Sequence, residues 1–432
     1  WDDMSKSVSS QFLSKQPLPL IKKQLDLTMA DYKAEYDEIM HYTNPTVKKK
    51  MLMDFAEKCD GTSMTLKASA FPGQATKVIL PLDKIKETEA YCPTYENGTQ
   101  LALVRYPHAG TFEIPIVTVN NKNASGKNNL GNVRDAIGIS SKVAERLSGA
   151  DFDGDTVMAI PMSDKVRINS TPALKELQGF DPKTAVPEGN PNNVRLMKKD
   201  EKQKEMGIIS NLITDMTLQG ATTEDLARAV KHSMVVIDAE KHKLDYKRSE
   251  RENGIQELKK KYQIREETDA EGNVTTKYGG ASTLLSRRKQ TVRIPERRGS
   301  VRIDKETGEP IYKESGRVYK DKQGKEHIAK TEVSRISLMN DARPLSSGTA
   351  QEELYATFSN SLKALANKAR KESVNMKGIQ RDPAAAKEYA TEVASLNEKY
   401  QAVLANKPKE RRAMIIANSK IKAIVEARGL DY

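Results

Sequence analysis

The sequence predicts an α+β fold in which one small β-barrel lies between helical regions and is followed by a basic β-hairpin insertion. Three observations predict it. Between Thr62 and Pro161 the apolar residues fall in short runs rich in Val, Ile, Leu and Thr, punctuated by Gly, Pro and Asn. On either side they recur every three or four positions, the helical period. Between 301 and 333, ETGEP, ESGR and KQGK separate short alternating runs, which reads as one or two exposed hairpins. The expected divisions are a helical segment at 1–60, a barrel at 61–165, a helical region at 166–285, a basic hairpin insertion at 286–333 and a helical region at 334–432.

In chain order, Asn44-Pro45 has the chemistry of a helix start, with Met51 and Phe55 following at helical spacing. TSMTLKASA, TKVILPL, QLALVRYP and EIPIVTVNN read as strands, and NNKNASGKNN as an exposed loop. Ser140-Ser141 opens a short helix, KVAERL, before another strand, TVMAIP. Strands with one short helix inside about 100 residues suggest a barrel rather than a βαβ sheet. Ile209, Leu212, Ile213 and Met216 mark one helix, and Thr222-Thr223 starts the next. Near the C-terminus, Leu354, Phe358, Leu362, Leu365 and Ala369 form a stripe. A last helix is expected to start at Asp382-Pro383, bury Tyr389, Val393, Leu396, Tyr400 and Val403, and stop before Pro408.

Of the 432 residues, 71 are Lys or Arg and 59 are Asp or Glu, a net charge of +12. Such an excess points to a polyanionic partner, with nucleic acid the default. No apolar run approaches the length that spans a bilayer, and no signal peptide is visible, so a membrane role is not expected. The two cysteines, Cys59 and Cys92, make neither a disulfide framework nor a zinc site, which fits a reducing, cytoplasmic setting. The segment 287–302 holds seven basic residues (Arg287, Arg288, Lys289, Arg293, Arg297, Arg298 and Arg302) against Glu296 alone, and is read as a nucleic-acid contact. The chain begins at Trp1 rather than Met, and is read as a processed or excised piece of something larger.

The chemistry concentrates in Asp151-Phe152-Asp153-Gly154-Asp155. Three carboxylates at i, i+2 and i+4 repel one another unless a divalent cation sits among them, and Gly154 permits the tight turn that gathers them. Hard oxygen donors without His or Cys select Mg²⁺, Mn²⁺ or Ca²⁺. Three readings compete. A calcium loop needs Gly at its sixth position and Glu at its twelfth, where this chain has Thr156 and Met162. A merely solvated acidic turn sits poorly between Ala150 and the apolar run Val157–Ile160. The third is a catalytic Mg²⁺ site for nucleotidyl transfer.

The segment Ser148-Gly-Ala-Asp-Phe-Asp-Gly-Asp155 resembles the active-site signature of the two-barrel RNA polymerases. These are the cellular multisubunit enzymes, the single-chain phage enzymes and the RNA-dependent RNA polymerases of RNA interference. Val104-Arg-Tyr-Pro107 before EIPIVTV resembles the family's Arg-x-Pro element, and MGIISNLITD and LARAVKHSMVVIDAEK resemble further blocks of the phage and RNA-interference branch. The resemblance covers roughly residues 60–245. It implies a double-psi β-barrel, Mg²⁺ (or Mn²⁺) held by Asp151, Asp153 and Asp155, and nucleotide contacts from Arg105 and Lys241, with Pro107 and Gly154 shaping the site. His232, Ser233 and Asp238 fall on matching positions without assigned roles, and His108 is not carried over.

The function expected from this is a catalytic subunit or fragment of an RNA polymerase, DNA-dependent and of phage or mobile-element type. Its partners would be a DNA template, an RNA product and nucleoside triphosphates, and it would act in a host cytoplasm or be carried in a virion. RNA-directed synthesis is the first alternative; a non-catalytic nucleic-acid-binding or virion structural protein is the second. The family uses two barrels and only one strand-rich stretch is visible here, so a second polypeptide or a missing N-terminal part is expected to supply the other.

Overall fold

The Asn44 side chain accepts from the N–H groups of Thr46 and Val47, and Pro45 opens the helix it caps. In the computed structural model, which describes residues 6–106, 108–147, 150–187, 196–268, 272–321, 323–376 and 383–428, helix α1 spans Leu18–Met40 and α2 spans Pro45–Thr65. TSMTLKASA is therefore not a strand throughout. Its first residues complete α2, whose buried Ala56, Cys59 and Ser63 form a face of small side chains. Leu66 then turns left-handed at φ +55° and ends the helix, and only Ala68–Ser69 is extended, antiparallel to Ser7–Val8.

Six strands follow: β1 Ala75–Pro81, β2 Glu89–Ala90, β3 Gln100–Val104, β4 Ile116–Val119, β5 Ala136–Ile139 and β6 Thr156–Pro161. Their order is β2-β4-β3-β6-β1-β5, with β1–β5 and β2–β4 parallel and the other pairs antiparallel. Beyond β2, Tyr91 exchanges both backbone hydrogen bonds with Gly138 of β5 at 2.9 Å, so the two edges meet in a nearly closed barrel sheet. A Cβ on Gly138 would lie 2.4 Å from Leu82 Cδ1, which is why the strand needs glycine at this closure.

β2 and β5 escape a reading of the sequence because one is two residues long and the other is broken by that glycine. Alternate residues of β3 and β6 face two cores. Leu101, Leu103, Val157 and Ala159 fill the barrel, while Ala102, Val104, Met158 and Ile160 join the helical core with Phe12 and Ile21. Burial on both faces explains the unbroken apolar run of β6. NNKNASGKNN is likewise no simple loop. Asn123 accepts from the Gly126 N–H at 2.8 Å and caps a short helix, Ala124–Asn129.

Helices α3 Lys199–Leu218, α4 Thr223–His242, α5 Tyr246–Glu252 and α6 Ile255–Tyr262 form a second core, with Thr222 capping α4. Phe112, from the barrel side, packs into it. The region expected to be helical as far as 285 also holds an antiparallel hairpin, Ile264–Thr268 with Val274–Tyr278. In the insertion, Thr291–Pro295 pairs with Lys330–Ser334 as a stem carrying two smaller hairpins. Helix α7, Ala350–Asn375, buries Phe358, Leu362 and Ala369 and lies against α2, where the Ser359 hydroxyl donates to the Ser63 carbonyl at 2.9 Å.

Residues 1–376 make one compact unit and 377–432 another. In the second, Pro383–Glu388 is helical and α8 runs over Ala390–Arg428. The last helix therefore does not stop before Pro408. It continues through the proline among strong helix formers, at the loss of one backbone hydrogen bond. Nor does it bury its stripe, since Tyr389, Val393, Leu396, Tyr400 and Val403 are all exposed. The expected cap, Asp382, lies outside the described residues. Among the described residues no helix is long and apolar enough to cross a membrane.

Candidate metal centre

The three aspartates sit in the turn that enters β6. Gly154 has φ +121°, a conformation side chains resist, and it bends the backbone so that one oxygen from each of Asp151, Asp153 and Asp155 lies within 4.8 Å of the others. The Asp151 N–H donates to Asp155 Oδ2 at 3.1 Å, and the Asp153 N–H to Asp151 Oδ1 at 3.4 Å. The Ile79 N–H of β1 donates to the Asp155 carbonyl at 3.0 Å and ties the turn to the barrel. Asp151 and Asp153 are exposed and Asp155 is half-buried, while Phe152 packs against the barrel core.

Shared hydrogen bonding with Asp153 holds the Asp151 carboxyl below its ordinary value, and Asp151 in turn, by hydrogen bond and by charge, pushes the Asp153 carboxyl up. The cluster is thus electrostatically frustrated as an isolated set. A hard divalent cation relieves that frustration, and the donor set, all carboxylate oxygen, fits one.

Two cations approach the cluster from different elements. β3 and β6 pair antiparallel with Val104 opposite Met158, so Arg105 emerges beside the start of β6, and its Nη2 lies 2.8 Å from Asp155 Oδ2. Lys241, in the last turn of α4, has its Nζ 3.8 Å from Asp153 Oδ2. The structure therefore brings together five of the side chains expected at the site, Asp151, Asp153, Asp155, Arg105 and Lys241, from a turn, a strand end and a helix end. Pro107 lies outside the described residues, as do Ser148 and Gly149.

What sequence reasoning missed is how the segment after Arg105 is held. Lys15, buried, donates from Nζ to the carbonyls of His108 and Ala109 at 2.8 Å each. Buried Glu113 accepts from the Ala109 N–H at 2.7 Å. Burial lowers Lys15 to about 7, the Glu113 charge opposing, and holds the His108 imidazole well below its usual value. His108 itself is a core residue, set edge-on against Phe12. No local pattern marks Lys15, because its burial comes from a chain segment 93 residues away.

The basic segment divides. Arg287 is buried and donates to the Leu345 carbonyl, and half-buried Arg288 bonds the Ser10 hydroxyl, so these two are structural rather than open to phosphate. Their backbone is anchored at the same place. Leu284 and Leu285 N–H donate to Glu352, while Ser282 N–H, Thr283 N–H and the Ser286 hydroxyl donate to buried Asp215. Lys289, Arg293, Arg298 and Arg302 are exposed, Arg293 pairing with Glu332 at 3.1 Å, and Arg297 stacks 3.6 Å above the Tyr312 ring. His232 is buried in the helical core with Nδ1 3.1 Å from the Ser249 hydroxyl, away from the cluster's own contacts. Ser233 and Asp238 are half-buried on α4.

No protein family matches the chain, and no curated protein does. Among solved structures it is similar to the RNA dependent RNA polymerase QDE-1 from Thielavia terrestris, at a TM-score of 0.40 and 13% sequence identity. The match covers 57% of this chain and 37% of that one.

Proposed function

We propose that the barrel at 61–165 is the catalytic domain of an RNA polymerase, with the double-psi topology, and that Asp151, Asp153 and Asp155 hold its Mg²⁺. One observation carries this reading: three carboxylate oxygens within 4.8 Å of one another on one glycine turn, with Arg105 and Lys241 reaching the same cluster. The bound cation would supply activation of the attacking hydroxyl and neutralisation of phosphate charge. The RNA 3′-oxygen forms its bond to the α-phosphorus as the bond to pyrophosphate breaks. Arg105 and Lys241 place positive charge where the triphosphate's negative charge must lie. Exposed Lys289, Arg293, Arg298 and Arg302 would track the nucleic-acid backbone.

RNA-directed synthesis is put first and DNA-directed synthesis second. The solved structure above is named for RNA-dependent activity, while the carboxylates, Arg105 and Lys241 would meet metal and phosphate, which RNA and DNA templates share. The proposal extends to a second barrel supplied from outside these 432 residues, since the described residues hold a single sheet of more than two strands.

The test begins with Mn²⁺ binding to the full chain, read by electron paramagnetic resonance. Asp153→Ala is expected to abolish binding while the fold persists, because removing one of three ligands leaves a weak, misplaced ion. Retained binding overturns the metal assignment. Synthesis on RNA and DNA templates is then compared with and without a second-barrel polypeptide. Synthesis by the isolated chain at high dilution overturns only the second-barrel extension.

A further inference from the structure

From Tyr389 along α8, the exposed side chains Tyr389, Val393, Leu396, Tyr400 and Val403 are spaced alternately four and three apart, a heptad seam. The same register continues to Lys407, Glu410, Met414, Ala417, Ile421 and Ile424, all exposed as well. The seam has a centre. Lys407 and Glu410 stand on either side of Pro408-Lys409, and the positions outward from them match in pairs: Val403 with Met414, Tyr400 with Ala417, Leu396 with Ile421, Val393 with Ile424.

We infer that α8 is a self-association surface whose occupant is a second copy of this chain, lying antiparallel about a two-fold axis at that centre. Each matched pair then becomes one layer of a coiled coil, and each layer is complementary. Lys407 of one copy meets Glu410 of the other, twice. Large Tyr400 meets small Ala417, and the remaining layers are aliphatic or contain Met.

Charge decides the direction. A parallel, in-register pair would set Lys407 against Lys407 and Glu410 against Glu410 inside the seam, two repulsive layers that the antiparallel pair converts into attractive ones. The antiparallel arrangement has a like-charge contact, Lys399 flanking Lys420 of the other copy, repeated by the two-fold, with both residues exposed at the margin where water screens them. Pro408 lies one position beyond the seam residue Lys407, on the flank, so its ring need not enter the interface.

Size agrees. A helix of 39 residues is about 58 Å long at 1.5 Å per residue. Two of them paired along that length present a continuous seam from Val393 to Ile424 on each copy, against the roughly 1,600 Å² that a standard specific interface buries in total. A two-fold pairing also closes on itself, so it gives dimers rather than filaments.

Sedimentation of the full chain without nucleic acid tests this. The wild-type chain is expected to be dimeric at tens of micromolar. Lys407→Glu and Glu410→Lys should each weaken the dimer by about tenfold or more, since each sets like charges together in the antiparallel seam. The double change, Lys407→Glu with Glu410→Lys, should restore it, and mixing the two single variants should give a heterodimer. Circular dichroism on every variant establishes that the helices persist. A monomeric wild-type chain overturns the inference, and so does a dimer indifferent to the single changes, because parallel pairing or another interface predicts that indifference.

Discussion

At Gly154 a Cβ would meet no atom within 4 Å, so this glycine supplies conformation and not space. Its φ of +121° lies where an L side chain is strained by about 1–3 kcal/mol. Gly154→Ala is therefore expected to relax the turn rather than crowd it, spreading the aspartates. The outcome to look for is Mn²⁺ affinity reduced by about tenfold or more with Tm lowered by only a few degrees. Unchanged affinity would show that the turn does not need the glycine. This part of the site was legible because its members are sequence neighbours, so chemistry and spacing appear in one window. Arg105 and Lys241 needed the family resemblance as well, and Lys15 and Glu113 were illegible. A lysine reads as a surface residue until the fold closes over it.

The basic segment shows the same limit for an element. Counting charges treated seven residues as equivalent, yet Arg287 and Arg288 end a short helix whose first N–H groups are held by Asp215 and Glu352. Replacing Lys289, Arg293, Arg298 and Arg302 with Gln is expected to weaken binding to all nucleic-acid sequences alike. It should also reduce the salt slope by up to about 3–4, with Tm nearly unchanged. Arg287→Gln should do the reverse, lowering Tm by removing buried hydrogen bonds while the slope stays put. Equal slopes in wild type and the fourfold variant would identify the exposed four as a solvated face. The end of α2 and the course of α8 were misread for related reasons. Contact with α7 overrides the β-propensity of TSMT, and a proline among Ala, Lys, Arg and Glu bends a helix without having to end it.

For the larger unit as a whole, two buried ionisable groups set opposing pH dependences. Burial raises the Glu352 carboxyl from 4.5 to about 7, its hydrogen bonds from Leu284 and Leu285 opposing, and burial lowers Lys15 from 10.5 to about 7. Between about pH 4.5 and 7 the folded chain keeps the Glu352 proton that the unfolded chain has lost, so stability falls as pH rises. Between about pH 7 and 10.5 the unfolded chain keeps the Lys15 proton that the folded chain has lost, so stability rises with pH. Each limb is worth at most ~3–5 kcal/mol at about 1.4 kcal/mol per pKa unit. Burial also holds the His108 and His232 imidazoles below their ordinary value, which adds a rise with pH below about 6.5 against the Glu352 fall. The two contributions are therefore read as variant-minus-wild-type differences in denaturant unfolding measured at intervals from pH 5 to 10. Asp341, whose carboxyl the Arg343 guanidinium holds far below its usual range, loses its contribution only in strongly acid solution and leaves this window undisturbed. The attribution is checked limb by limb. Glu352→Gln should flatten the acid-side fall alone, and Lys15→Met the alkaline rise alone, whatever each costs in absolute stability. Glu352→Gln and Lys15→Met profiles that each run parallel to wild type would mean that these two groups are hydrated in solution. In that case Lys15 would not hold the segment behind Arg105, and the arginine's position beside Asp155 would have to come from the strand end by itself.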